Sequence, residues 1–172
     1  MLKNRIITAL AIAFVALAAI FLLPLWAFSL FFLAAAGFGV FEWAGFAGLE
    51  TLRAKLLYTG LFLLMAAGLY LLKAYFADFI GLVSMLWMCA IASILLYPTG
   101  EFLFKNQWFV GALGLVIMLG AWVSLSMLRA HDQGALWLVW LFVLTTATDV
   151  GAYFVGKAFG KNRLAAQLSP GK

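Results

Sequence analysis

Residues 6–44 read IITALAIAFVALAAIFLLPLWAFSLFFLAAAGFGVFEWA, thirty-nine positions with a single charged side chain, Glu42. No polar face recurs at helical spacing, so the stretch is not the amphipathic helix of a water-soluble domain. A membrane-crossing helix needs about 20 apolar residues. Pro24 divides the stretch into two such lengths, because proline has no N–H to donate and turns the preceding residue away from helical backbone. The reading is two membrane helices, Ile6 to Leu23 and about Leu25 to Ala44, joined by a very short link as an antiparallel hairpin.

Four more apolar runs of spanning length follow, at about Leu56 to Leu72, Phe79 to Tyr97 (closed by Pro98), Trp108 to Leu128 and Ala135 to Val155. The expected fold is all-α, a polytopic transmembrane helical bundle of about six spans, forming a single domain over residues 1–172 with a polar tail at 156–172. Composition agrees. Of 172 residues, 67% are hydrophobic and 10% charged, whereas soluble domains are nearer half apolar and a quarter charged. Lys3 and Arg5 ahead of an apolar run resemble a signal peptide, but the run continues through Leu23 without a polar break, so it is read as a retained span. Cys89 is the only cysteine, so no intrachain disulfide forms and the redox compartment is not indicated.

The net charge is +5. Basic residues gather at the ends of the apolar runs, which suits topology and anionic headgroups rather than nucleic acid. With the N-terminus inside, nine Lys and Arg residues fall on the inner side and only Lys73 and Arg129 on the outer. That bias predicts both termini in the cytoplasm. Trp26, Trp43, Trp108 and Trp137 fall near span ends as an aromatic belt, while Trp87, Trp122 and Trp140 lie deeper and are expected to be packing residues.

Asp149 carries the most chemical information. It lies within the sixth run, among Thr145, Thr146 and Thr148, and shares a helix face with Tyr153 and Gly156 at i, i+4, i+7. An intramembrane carboxylate is costly and faces a bundle interior or a wet cavity. Two readings stay open: a functional carboxylate, or an aspartate satisfied by a neighbouring helix. Glu42, near the inner end of the second span, is either functional or interfacial with its head in water. Lys157, Lys161 and Arg163 follow the sixth run. They serve as anchors on the inner side, as a phosphate-binding rim in which a carboxylate beside basic residues suits a magnesium-bound polyphosphate, or as both.

Other patterns carry less. Gly151 to Ala158 approximates a P-loop but lacks the Ser or Thr that holds Mg²⁺ and does not follow a strand. Gly156 and Gly160 form a G-x-x-x-G pair at the helix exit, suited to close helix approach, flexibility or backbone contact with a ligand. His131, beside Asp132, has no partner set for a metal.

Four segments together resemble the phosphatidate cytidylyltransferase family, the bacterial CDP-diacylglycerol synthases: Met1-Leu2-Lys3-Asn4-Arg5, Phe41-Glu42-Trp43-Ala44-Gly45, above all Thr148 through Lys161 (TDVGAYFVGKAFGK), and Leu168-Ser169-Pro170-Gly171-Lys172. The resemblance implies a bacterial inner-membrane enzyme of phospholipid biosynthesis that joins CTP and phosphatidate into CDP-diacylglycerol and pyrophosphate. It implies Asp149 as a catalytic and metal-binding carboxylate, with Mg²⁺ or another divalent cation as cofactor. Ser169 and Lys172 are implied as nucleotide-phosphate contacts, with Lys157 and Lys161 as basic positions nearby. The implied partners are CTP, phosphatidate and membrane lipids, with no nucleic acid; homo-oligomerisation stays open. Family members continue beyond the S-P-G-K motif into a signature that supplies much of the metal site, so these 172 residues by themselves are expected to be inactive. The alternative is a non-catalytic membrane protein, such as a transporter segment or an assembly partner. A transporter would favour inverted repeats, and no internal repeat is seen.

Overall fold

A computed structural model of the chain describes residues 2–95 and 106–159. Six α-helices and one 3₁₀ turn occupy them: α1 (Leu2–Leu22), α2 (Leu25–Phe46), α3 (Leu52–Leu71), the 3₁₀ turn (Lys73–Tyr75), α4 (Phe76–Leu95), α5 (Gln107–Ala130) and α6 (Gly134–Phe159). Among the described residues there is no strand. Five helical stretches, those of α2 to α6, are long and apolar enough to cross a membrane, while the apolar part of α1 is the shorter Ile7–Leu22. The chain is a multi-pass membrane protein of all-α class. The helix limits fall within a few residues of the expected runs. Helices α1 and α3 begin earlier, at Leu2 and Leu52, and α6 continues through Gly156 and Lys157 to Phe159, past the expected start of the polar tail. The expected end of the fourth run at Tyr97 and Pro98 lies outside the described residues.

Short links with distinct stop and start chemistry join the helices. Pro24 begins α2 with extended backbone (φ −63°, ψ 157°). Its missing N–H leaves the carbonyl of Ile20, four residues earlier, without the usual helical donor. Arg129, at the end of α5, fills that gap: its Nε donates to the Ile20 oxygen at 3.0 Å. The guanidinium also lies 5.9 Å from the Phe28 ring centroid. At the other end of α2, Gly48 adopts φ +74°. It donates to the Gly45 carbonyl at 3.1 Å, and Leu49 donates to the Ala44 carbonyl at 2.9 Å. This is the paired-bond helix stop that a left-handed glycine permits. Thr51 then caps α3 by accepting from the Ala54 N–H at 3.2 Å, and Asn106 caps α5 by accepting from the Trp108 N–H at 2.9 Å.

Helix α5 is the centre of the bundle, packing most extensively against α2 and also against α3, α4 and α6. Apolar burial contributes little to helix association in lipid, so close approach and interhelical hydrogen bonds decide the pairing. Both are present. The Trp43 indole of α2 covers Gly114, where a β-carbon would collide with the ring. Its Nε1 donates to the Val110 carbonyl at 2.9 Å. Tyr58 of α3 donates to the Gly111 carbonyl at 2.6 Å. Toward the opposite end of α5, Trp122 Nε1 donates to the Ser29 Oγ at 3.0 Å, and that hydroxyl pairs with Ser126 at 3.1 Å. Val83 of α4 fills the space over Gly120. Val40, Phe62, Leu119 and Val123 are fully or nearly fully buried in the same cluster.

A second, smaller cluster joins Ile20, Phe28 and Leu138, tying the end of α1 and the start of α2 to the start of α6. Successive helices therefore alternate in direction. The start of α1, the α2–α3 link, the start of α5 and the end of α6 gather at one end, and Lys73 and Arg129 belong to the other. Of the three deeper tryptophans, only Trp122 packs in the core; Trp87 and Trp140 are more than half exposed. The expectation of packing roles fails for those two. Helix α4 meets α5 along the Val83 side, and α6 meets its neighbours along Leu138, Val139 and Phe142, so both indoles point away from the bundle.

Candidate functional site

The candidate residues lie on the second half of α6, where every residue from Val143 to Ala158 is exposed. Thr145 and Thr148 turn their hydroxyls onto their own helix, to the Leu141 carbonyl at 3.0 Å and the Leu144 carbonyl at 2.7 Å. These bonds satisfy the hydroxyls inside an apolar environment without any neighbour. They therefore make less of a polar stripe than the sequence suggested. Thr146 makes no such bond.

Asp149 is exposed on the outer face of α6. Among the described residues no hydrogen bond or ion pair reaches its carboxylate, and no group of three His, Cys, Asp or Glu residues stands close enough to hold a metal. The expectation that it faces the bundle interior is not met within these six helices. The cause is architectural: only the first half of α6 is held between neighbours, at Leu138, Val139 and Phe142. The reading in which a neighbouring helix satisfies the aspartate finds no support among the described contacts either. Tyr153 follows one turn on, also exposed, with its ring edge-on to Phe154 at 5.5 Å between centroids. Lys157 lies two turns beyond Asp149 and is likewise exposed. Asp149, Tyr153 and Gly156 thus share one side of one continuous helix, as expected from their spacing, with Lys157 at its edge. Lys161, Arg163, Ser169 and Lys172 lie outside the described residues.

The remaining sequence candidates separate from this site. Glu42 is exposed near the end of α2, at the end of the bundle where Arg53 and Lys55 stand in the first turn of α3. Lys55 places its ammonium 5.3 Å from the Phe41 ring centroid. Gly156 is helical, and a β-carbon built there meets nothing within 4 Å, so it mediates no close helix approach among the described residues. The P-loop-like segment is continuous helix as far as Phe159. His131 is exposed, its Nδ1 at 2.9 Å from the Asp132 carbonyl.

Sequence reading missed a groove of about 540 Å³ between α1 and α6, whose walls include Ala13, Ala16, Phe142, Thr146, Ala147 and Val150. The small residues at 13, 16 and 147 that leave it open were visible, but nothing in the sequence paired α1 with α6.

Comparison with known proteins gives the context. Residues 3–172 match the model of the cytidylyltransferase family. A phosphatidate cytidylyltransferase of Pseudomonas aeruginosa is 37% identical over the whole chain, which covers 64% of that protein. One of Haemophilus influenzae is 32% identical, with all of this chain and 66% of the relative aligned. One of Bacillus subtilis is 32% identical over 48% of this chain. The chain thus spans slightly under two thirds of the length of the first two relatives. No solved structure matches. With a family match over almost its entire length and two relatives that align with the whole of it, this chain belongs to the cytidylyltransferase family.

Proposed function

We propose that the protein takes part in cytidylyl transfer from CTP to phosphatidate, giving CDP-diacylglycerol and pyrophosphate. The observation that carries this reading is the whole-chain likeness to the Pseudomonas aeruginosa phosphatidate cytidylyltransferase, which includes the exposed Asp149–Lys157 side of α6. In the proposed reaction a phosphate oxygen of phosphatidate attacks the α-phosphorus of CTP. The bond from that phosphorus to the bridging oxygen breaks, and pyrophosphate leaves with the electron pair. Such a transfer asks the protein mainly for positioning and charge stabilisation.

Magnesium in nucleotide sites is held by one or two carboxylates together with substrate phosphates. Asp149 fits as one such ligand, exposed and uncommitted, while a complete protein cage is not found among the described residues. When bound, the ion would offset phosphate charge. Lys157 would draw the lipid phosphate toward the end of α6, and Lys161, Ser169 and Lys172 are proposed contacts of the nucleotide phosphates. The site is placed on the cytoplasmic side of a bacterial inner membrane. The clustering of basic residues at the end shared by α1, the α2–α3 link and α6 supports this placement. Reporter fusions following Lys55 should give a cytoplasmic signal, and a periplasmic one would reverse the orientation.

The test uses a chimera in which residues 1–172 replace the matching part of the Pseudomonas aeruginosa relative. With labelled CTP, saturating Mg²⁺ and phosphatidate in micelles, Asp149→Asn should lower incorporation into lipid by about a hundredfold or more, equivalent to about 3 kcal/mol of barrier. Near-normal turnover by a normally inserted variant would remove Asp149 from the site.

A further inference from the structure

We propose that the groove between α1 and α6 holds an acyl chain of an anionic diacyl phospholipid, phosphatidate, with its phosphate at the Lys157 end of α6. The inference rests on the proposed cytidylyl transfer and adds the place where the lipid substrate is held.

Three observations carry it. The first is shape. The groove encloses about 540 Å³, within the ~300–1,000 Å³ of typical small-molecule sites. Its walls are apolar, with alanines at 13, 16 and 147 where longer side chains would close it. Helices α1 and α6 run antiparallel beside it, so its length follows the direction of lipid chains.

The second is the continuity of its wall with charge. At 3.6 residues per turn, Thr146, Val150, Tyr153 and Lys157 fall within about 60° of one another around α6. Thr146 and Val150 line the groove, and the same stripe reaches Lys157 about 16 Å farther along the axis from Thr146. Helical side chains lean toward the N-terminus, which brings the Lys157 ammonium back toward the groove mouth. Lys3 and Arg5 are in the first turns of the antiparallel α1, at the same end. An apolar slot whose α6 wall leads on to a rim marked by the exposed Lys157 is complementary to a lipid with a compact, multiply charged phosphate. A neutral or zwitterionic lipid would gain less from that rim.

The third is Thr146. Thr145 and Thr148 satisfy their hydroxyls on the helix backbone. Thr146, the one hydroxyl-bearing residue in this wall, makes no such bond. A free donor in an otherwise apolar wall suits the ester carbonyl of an acylated glycerol.

The test uses the 172-residue chain in detergent micelles, with trace phosphatidate carrying a diazirine near one acyl terminus. After photolysis, adducts should concentrate in residues 13–17 and 142–150. Excess phosphatidate should displace them and phosphatidylcholine should not. Ala147→Phe, which fills the slot from an exposed position, should lower labelling there by about tenfold, and Thr146→Val should lower it by a smaller factor. Adducts spread evenly over outward-facing positions such as Leu64 and Met85, or equal displacement by phosphatidylcholine, would mean ordinary boundary lipid and overturn the proposal. If Ala147→Phe fails to insert, the wild-type adduct map and Thr146→Val decide. The chimera separates the two readings. Normal turnover with an unchanged phosphatidate KM in Ala147→Phe would sink the groove and leave cytidylyl transfer standing. Absence of turnover in the unmutated chimera, with labelling intact, would do the reverse.

Discussion

Helices α5 and α6 are similar in length, 24 and 26 residues, and both are apolar helices interrupted by glycine. They use those features in opposite ways. In α5, Gly114 lies beneath the Trp43 indole and Gly120 beneath Val83, so each missing side chain is occupied by a neighbour. Its polar residue Ser126 is nearly buried and bonded to Ser29. In α6, Gly151 and Gly156 have open space where a β-carbon would stand, and Asp149 and Lys157 face outward. In lipid, where small residues and interhelical hydrogen bonds supply the specificity of association, α5 has consumed its recognition features in building the bundle. Those of α6 remain available to a ligand or to further protein.

The sharpest way to break this comparison is to enlarge the two kinds of glycine. Gly114→Leu must displace the Trp43 indole and with it the bond to the Val110 carbonyl. Overpacking of this kind costs about 1–3 kcal/mol. The expected result is a clear fall in thermal midpoint in detergent, together with a change in Trp43 fluorescence as the ring leaves its slot. An unchanged midpoint would mean that α2 and α5 are not locked at this point.

Arg129 tests the second fastening of the bundle, away from the α2–α5 contact. Arg129→Met keeps much of the side-chain volume but strips the donor from the Ile20 carbonyl, which Pro24 leaves without a helical partner. An unmet buried acceptor costs about 1–3 kcal/mol, at the lower end where water can reach it. The Ile20 bond is only partly buried, so the expected loss is smaller than for Gly114→Leu. Arg129→Lys should recover part of it, since an ammonium donates but lacks the planar guanidinium that lies near the Phe28 ring. Equal stability of the Met and Lys variants would show that the hydrogen bond contributes nothing measurable.

These residues also show where sequence reading stopped. Membrane helices were legible because span length and hydropathy are local properties, and Pro24 marks an end by local backbone chemistry; the stop at Gly48 and the cap at Asn106 emerged only in the structure. Partner choice was not. Trp87, Trp122 and Trp140 are chemically equivalent in the sequence, and only the helix arrangement decides that Trp122 alone is enclosed. Arg129 was legible as a charge on the side opposite the basic cluster, but its role joins it to a carbonyl 109 positions away. At the candidate site, chemistry was legible at Asp149 and Lys157, and the helix side that Asp149 shares with Tyr153 and Gly156 follows from spacing. The groove beside them depends on which helix lies next to α6, and no local pattern encodes that.

The smallest expected effect on stability is the most informative about α6. Gly156→Ala places a methyl group where nothing stands within 4 Å, in a position that is already helical. Glycine within a helix is less stable than alanine by about 0.5–1 kcal/mol. Near the end of α6 the gain should be at the low end of that range, so the thermal midpoint should stay level or rise slightly. A fall would place an unseen neighbour against this face. Activity then separates two uses of the position. Gly156 shares a helix side with Asp149 and precedes Lys157, where the lipid phosphate is proposed to sit. If the phosphate approaches the backbone there, the added methyl should raise the phosphatidate KM of the chimera severalfold while stability is unharmed. If Gly156 serves only as a neutral helical residue, both KM and turnover should match the parent. A loss of turnover with an unchanged KM would fit neither use, because an obstructed approach acts on binding before it acts on chemistry.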